Sequence, residues 1–162
     1  NVLTKLENYL KLSLDNYKFV NTISQYMKNI NKHSYFSYLS EDYIIYNYIN
    51  KNNITNELFK SFFPDKLVYC GNDFILIDIN TNIENKIKEY ILINKEIPKI
   101  FIKKNNNNFF CYICSCSLKK CVEIENVLKS HLLCYNKNNK LLTNDEINYL
   151  NNWDAEKFRN TI

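Results

Sequence analysis

The sequence predicts an α+β protein, with N-terminal helices on a small antiparallel sheet, then a hairpin–helix module and a C-terminal helix. Three observations carry that prediction. Apolar residues recur at helical spacing through the first third of the chain. Two β-rich runs follow, one near Lys66 and one from Lys99. Five of the six cysteines, with one of the two histidines, then fall within residues 109–134, FFCYICSCSLKKCVEIENVLKSHLLC, where a strand-like pattern gives way to a helical one. On this pattern residues 1–104 form a helical α+β domain and residues 105–162 a zinc-binding module with a C-terminal helix, or the two make one continuous domain.

Each element has a local reason. Leu3, Leu6 and Leu10 mark a first helix, and Ser13 and Asp15 are placed to cap a second. The second helix carries Phe19, Val20, Ile23, Tyr26, Met27 and Ile30, a stripe that core packing explains. Ser40 is placed to cap a third helix, with Glu41 and Asp42 in its first turn and Ile44, Ile45, Tyr48 and Ile49 on its face. Thr55 caps a short helix over 56–63, which Pro64 ends. The runs LVYC and DFILIDI flank Gly71-Asn72, the pattern of a type II′ hairpin, with Cys70 as a small buried hydrophobe and Asp73 and Asp78 exposed. Ile83, Ile87, Tyr90 and Ile91 give a helix over 82–94. Pro98 opens the strand KIFIKK, and the four asparagines at 105–108 turn it back into FFCYIC. Thr143 and Glu146 form a capping box for a last helix with Ile147, Leu150 and Phe158 facing inward. Trp153 caps a small core or anchors an interface, and His33 is assigned no role.

Composition narrows the function classes. A chain of 162 residues buries a real core without disulfides, and a hydrophobic fraction of 46% fits a globular protein. Asn, Lys, Ile, Tyr and Phe abound in every segment, as AT-rich codon usage would produce. The net charge of +4 permits a polyanionic partner without demanding one. Neither GxGxxG nor GxxxxGK[ST] occurs, so no nucleotide cradle is predicted. No apolar run reaches the length of a membrane span, and the first residues lack a signal-peptide core, so a cytoplasmic location is expected. The chain begins at Asn1 without Met, which leaves room for upstream residues.

The chemistry concentrates in the cysteine-rich stretch. Cys111-x2-Cys114 and His131-x2-Cys134 are two pairs separated by sixteen residues. Zinc takes four N or S ligands in a tetrahedron, which a pair on a turn and a pair on one helix face would supply. Cys111, Cys114, His131 and Cys134 are therefore the expected ligands, with Cys116 able to replace Cys114, and Cys121 able to replace Cys111 or Cys134. The arrangement is zinc-finger-like, although the loop is longer than in C2H2 fingers and the second pair is His-x2-Cys. No HxE accompanies it, so the zinc would be structural and no catalytic residue is predicted. A redox use of the CxxC would require a depressed thiol pKa. Lys103, Lys104, Lys119, Lys120, Lys129, Lys137 and Lys140 flank the stretch and are the expected phosphate contacts, although a solvated face in a lysine-rich chain would look the same.

The composition together with FCYIC…SHLLC resembles the small zinc-containing ribosome dormancy factors of microsporidia, over about the last third of the chain. Phe110-Cys111, Lys120-Cys121 and Val127-Leu128-x-x-His131 are also similar to surfeit locus protein two, with a longer gap before the histidine. The first resemblance implies a non-enzymatic protein that associates with rRNA and ribosomal proteins and blocks a tRNA or mRNA site on an inactive ribosome. The alternative is a zinc-stabilised protein–protein adaptor without nucleic-acid binding.

Overall fold

A computed structural model describes residues 2–51, 54 and 56–153. The elements run α1 (Val2–Asn31), β1 (Phe36–Leu39), α2 (Tyr43–Lys51), α3 (Asn56–Phe59), α4 (Pro64–Cys70), β2 (Ile75–Ile77), α5 (Ile83–Asn94), β3 (Ile100–Asn105), β4 (Asn108–Ser115), α6 (Leu118–Cys134) and α7 (Asn144–Asn152). The four strands form one sheet in the order β1-β4-β3-β2. The fold is α+β, as the sequence predicts.

The sheet is mixed rather than antiparallel. β4 pairs antiparallel with both β1 and β3, and β2 pairs parallel with β3. The parallel pair follows from the treatment of LVYC. These four residues do not make a strand; they end α4, which Pro64 and Asp65 open. Pro fits the first helical turn because its missing N–H is not needed there. Thus Pro64 starts a helix instead of ending one. Gly71 closes α4 with φ 77° and donates its N–H to Leu67 O at 2.9 Å. With no hairpin at 71–72, β2 reaches β3 through the crossover helix α5, which a parallel pair requires.

Two other boundaries differ from expectation. Residues 2–31 are one helix rather than two. Ser13 and Asp15 offer caps, but no Gly or Pro forces the chain out of helical dihedrals there, and the helix runs on until Lys32 turns left-handed at φ 58°. At α2 the cap is Asp42, whose Oδ1 accepts the N–H groups of Ile44 and Ile45 at 2.9 and 3.2 Å. The Ser40 hydroxyl donates to Glu125 and accepts only Asp42 N–H, ahead of the helix, and the residues before it form β1. Thr55 and Phe158, read as a cap and as an inward residue, lie outside the described residues. The capping box stands as read, with Thr143 and Glu146 bonding reciprocally, and α5 has a cap of its own in Asn82, which accepts Asn85 N–H at 3.0 Å.

Helices cover both faces of the sheet. On one face α2, α3, α4 and α6 pack Ile45, Phe59, Cys70, Ile124 and Leu128 against Ile100, Ile102, Cys111 and Ile113. On the other, α1 and α5 pack Ile23, Met27 and Ile87 against Ile75, Phe101, Tyr112 and Cys114. The two central strands are therefore apolar at consecutive positions, the signature of a strand buried on both sides. Tyr112 is fully buried, with its hydroxyl donating to Asn16 O at 3.1 Å and its ring edge-on to Phe19. The expected hairpin and helix are present as β3–β4 and α6. They are not a separate finger: β4 is an inner strand, and the division at 104–105 falls inside its hairpin with β3.

Candidate functional site

The four residues expected to hold zinc are not brought together. Cys111 and Cys114 lie on β4, not on a turn, and an odd separation along a strand sends two side chains to opposite faces. Cys111 is buried beneath α6, and Cys114 is buried on the side of α1 and α5. The sheet stands between them. His131 and Cys134 do share α6, but His131 is buried and Cys134 is exposed at the last turn. The substitutes do not complete a set: Cys121 is buried and donates its thiol toward Phe36 O at 3.5 Å, while Cys116 is exposed. Among the described residues, no three His, Cys, Asp or Glu side chains converge as metal ligands.

His131 has a different role. Its Nε2 lies 2.8 Å from Leu58 O, so that nitrogen must carry the proton, because a carbonyl only accepts. The ring stacks on Phe62 with centroids 4.7 Å apart. Nδ1 is buried without a hydrogen-bond partner. Burial, with the nearby charge of Lys66 adding to it, pulls the imidazole down to about 4 against the pull of the Leu58 carbonyl.

Burial also raises the thiols. Cys111 and Cys114 lie well above the ordinary cysteine range, and Cys70 and Cys121 are pushed up to about 11. A thiol-disulfide centre needs the opposite shift, so these four are packing groups. Cys70 is the small buried hydrophobe that the sequence suggests.

The seven flanking lysines form no single patch. Lys103 Nζ sits 4.1 Å from the Phe19 ring centroid and Lys104 Nζ 6.0 Å from that of Phe109, on opposite faces of β3 at the hairpin end. Lys119 and Lys120 open α6 beyond the other end of β4, about 17 Å away at ~3.3 Å per residue. Lys129 is paired with Asp42 at 2.7 Å. Lys137 and Lys140 follow α6, about 25 Å further along that helix.

One of them, Lys120, joins two lysines that sequence reasoning missed. A cleft of ≈ 500 Å³ opens among α4, the start of β3, the end of β4 and the start of α6, and Lys95, Lys99 and Lys120 line it with Tyr35 and Tyr69. Lys99 Nζ donates to Val68 O at 2.9 Å, and burial lowers its pKa, with the charge of Lys120 contributing. Lys95 is held there by its left-handed backbone (φ 56°) at the end of α5. Two carboxylates also reach the cleft. Glu96 is directed into the turn after α4, where its Oε1 accepts Asn72 N–H at 3.0 Å and the Tyr90 hydroxyl at 2.7 Å. Glu123 lies on the wall formed by α6. Lys66, fully buried on α4, donates to the carbonyls of Phe59 and Gly71, and burial brings it down to about 8.

Comparison of the chain with protein-family models, with curated proteins and with solved structures finds no match.

Proposed function

We propose that this is a non-enzymatic protein of the cytoplasm that associates with RNA, in the specific form of a factor that blocks a tRNA or mRNA site on a dormant ribosome. The observation that carries the RNA reading is the gathering of Lys95, Lys99 and Lys120 beside Tyr35 and Tyr69 in one cleft. Lysines neutralise phosphates, and tyrosine rings stack on unpaired bases. The net charge of +4 favours the same partner. Among the described residues no helix is long and apolar enough to cross a membrane. The reading uses no metal.

The test is co-sedimentation with ribosomes on a sucrose gradient at low and moderate salt, beside anisotropy with a single-stranded RNA. Three phosphate contacts predict a slope of about −2 in log K against log salt, and Lys95→Ala with Lys120→Ala should remove about 1.4 of it. Association that ignores both salt and these substitutions would refute the cleft as the RNA site. Absence of any association would refute the proposal. The adaptor reading is favoured by a different surface, the outer edge of the sheet.

A further inference from the structure

The sheet has an open edge whose chemistry is unlike that of the cleft. Ser40 N–H donates to Cys111 O at 2.9 Å, and this bond sets the phase of the β1–β4 pair. With Leu39 opposite Tyr112 and Phe36 opposite Ser115, the residues of β1 that bond to β4 are Phe36, Tyr38 and Ser40. β4 agrees from its other side, since Cys114 N–H serves β3 through Lys99 O. The backbone N–H and C=O groups of Ser37 and Leu39 therefore point away from the sheet. β1 reads FSYL, with no Lys, Pro or bulge of the kind that normally blunts an edge.

A groove of ≈ 550 Å³ runs beside this edge, with Tyr17 and Val20 of α1 on one side and Tyr38 and Leu39 on the other. Three carboxylates stand on its rim: Glu41, Asp42 and Glu125. Asp42 is neutralised by Lys129. Glu125 accepts from the Tyr38 hydroxyl at 2.5 Å and from the Ser40 hydroxyl, donors that bring no compensating positive charge. Glu41 is exposed. The groove is thus locally negative in a chain whose net charge is +4.

From these two features we infer that the outer edge of β1 accepts an extended, lysine- or arginine-rich peptide segment of another protein as a fifth strand. Main-chain hydrogen bonds to Ser37 and Leu39 hold such a strand, and alternate side chains meet the apolar wall and the carboxylates. A second copy of this chain is a poor occupant, because it would bring its own Glu41 and Glu125 against these. The site is separate from the lysine-lined cleft and stands whether or not RNA binds there.

The test uses the full chain and three labelled octapeptides: one alternating lysine with valine, one with glutamate replacing lysine, and one lysine peptide N-methylated at every second amide. The lysine peptide is expected to bind and to slow amide exchange at Ser37 and Leu39. N-methylation on the bonding edge should weaken it about tenfold, and the charge reversal Glu41→Lys about fivefold at low salt. Glu41 is exposed, so that variant should fold normally. Equal binding of the methylated peptide overturns strand addition. Equal binding of the glutamate peptide overturns the charge assignment. No binding, or sedimentation of the free chain as a dimer that the lysine peptide does not dissociate, overturns the inference.

Discussion

Acidification tests the placement of His131 directly. The imidazole titrates near 6.5 in an unfolded chain and is held at about 4 in the fold. Between those values the unfolded state binds more protons than the folded state, so stability is complete above 6.5 and falls as the pH drops toward 4. The full difference corresponds to about 3 kcal/mol, and about 2 kcal/mol of it is lost between pH 7 and pH 5. Carboxylates held below their ordinary range, such as Asp42, act at lower pH and do not enter this window. The perturbation that isolates the effect is His131→Phe, which keeps an aromatic ring against Phe62 but cannot titrate. It leaves Leu58 O without its donor, so it should cost about 1–2 kcal/mol at pH 7.5. Urea titrations followed by circular dichroism from pH 7.5 to 4.5 give both curves. The native curve should slope down and the variant curve should stay nearly flat, so that the two approach each other near pH 5. Parallel curves would refute the reasoning, because they would mean that the ring is not sequestered as a neutral group.

Gly71→Ala should destabilise the fold by about 2 kcal/mol or more, read as a fall in the urea midpoint, since it forces an L side chain to φ 77° with a Cβ only 2.6 Å from Glu96 Oε1. Ellman's reagent should modify Cys116 and Cys134 rapidly and the other four cysteines only on unfolding. Chelation is expected to leave the thermal midpoint unchanged; one zinc per chain, lost on chelation with a fall in Tm, would show that β4 and α6 adopt a different arrangement from the one described.

The parts of the fold that were legible are those with local chemical punctuation. Thr143 and Glu146 announce their helix by capping, and the asparagines at 105–108 announce the β3–β4 turn. α4 was illegible because LVYC is too short to show a period, and its β-prone residues outweighed the start signal Pro64-Asp65. The fold separates the cysteine pairs for a related reason. Their spacing suits a metal only if Cys111 and Cys114 sit on a turn, yet FFCYIC is apolar at consecutive positions, as a strand buried on both faces must be. That run alone implies that the two thiols diverge. The cleft had no comparable trace: Lys95, Lys99 and Lys120 come from the end of one helix, the approach to a strand and the start of another helix, and only the crossover through α5 and the hairpin sets them side by side.

The place of β4 between β1 and β3 bears on how the chain is made. Its two neighbours come from residues 36–39 and 100–105, and β1 joins the sheet only through it. During synthesis β1 therefore has no partner until β4 has emerged. At about 5–20 residues per second, the nascent chain spends several seconds with the apolar faces of α1 and α2 uncovered. Closure of the sheet is a late, non-local event that must wait for Ser115, and the half-made protein depends on whatever shields it in that interval.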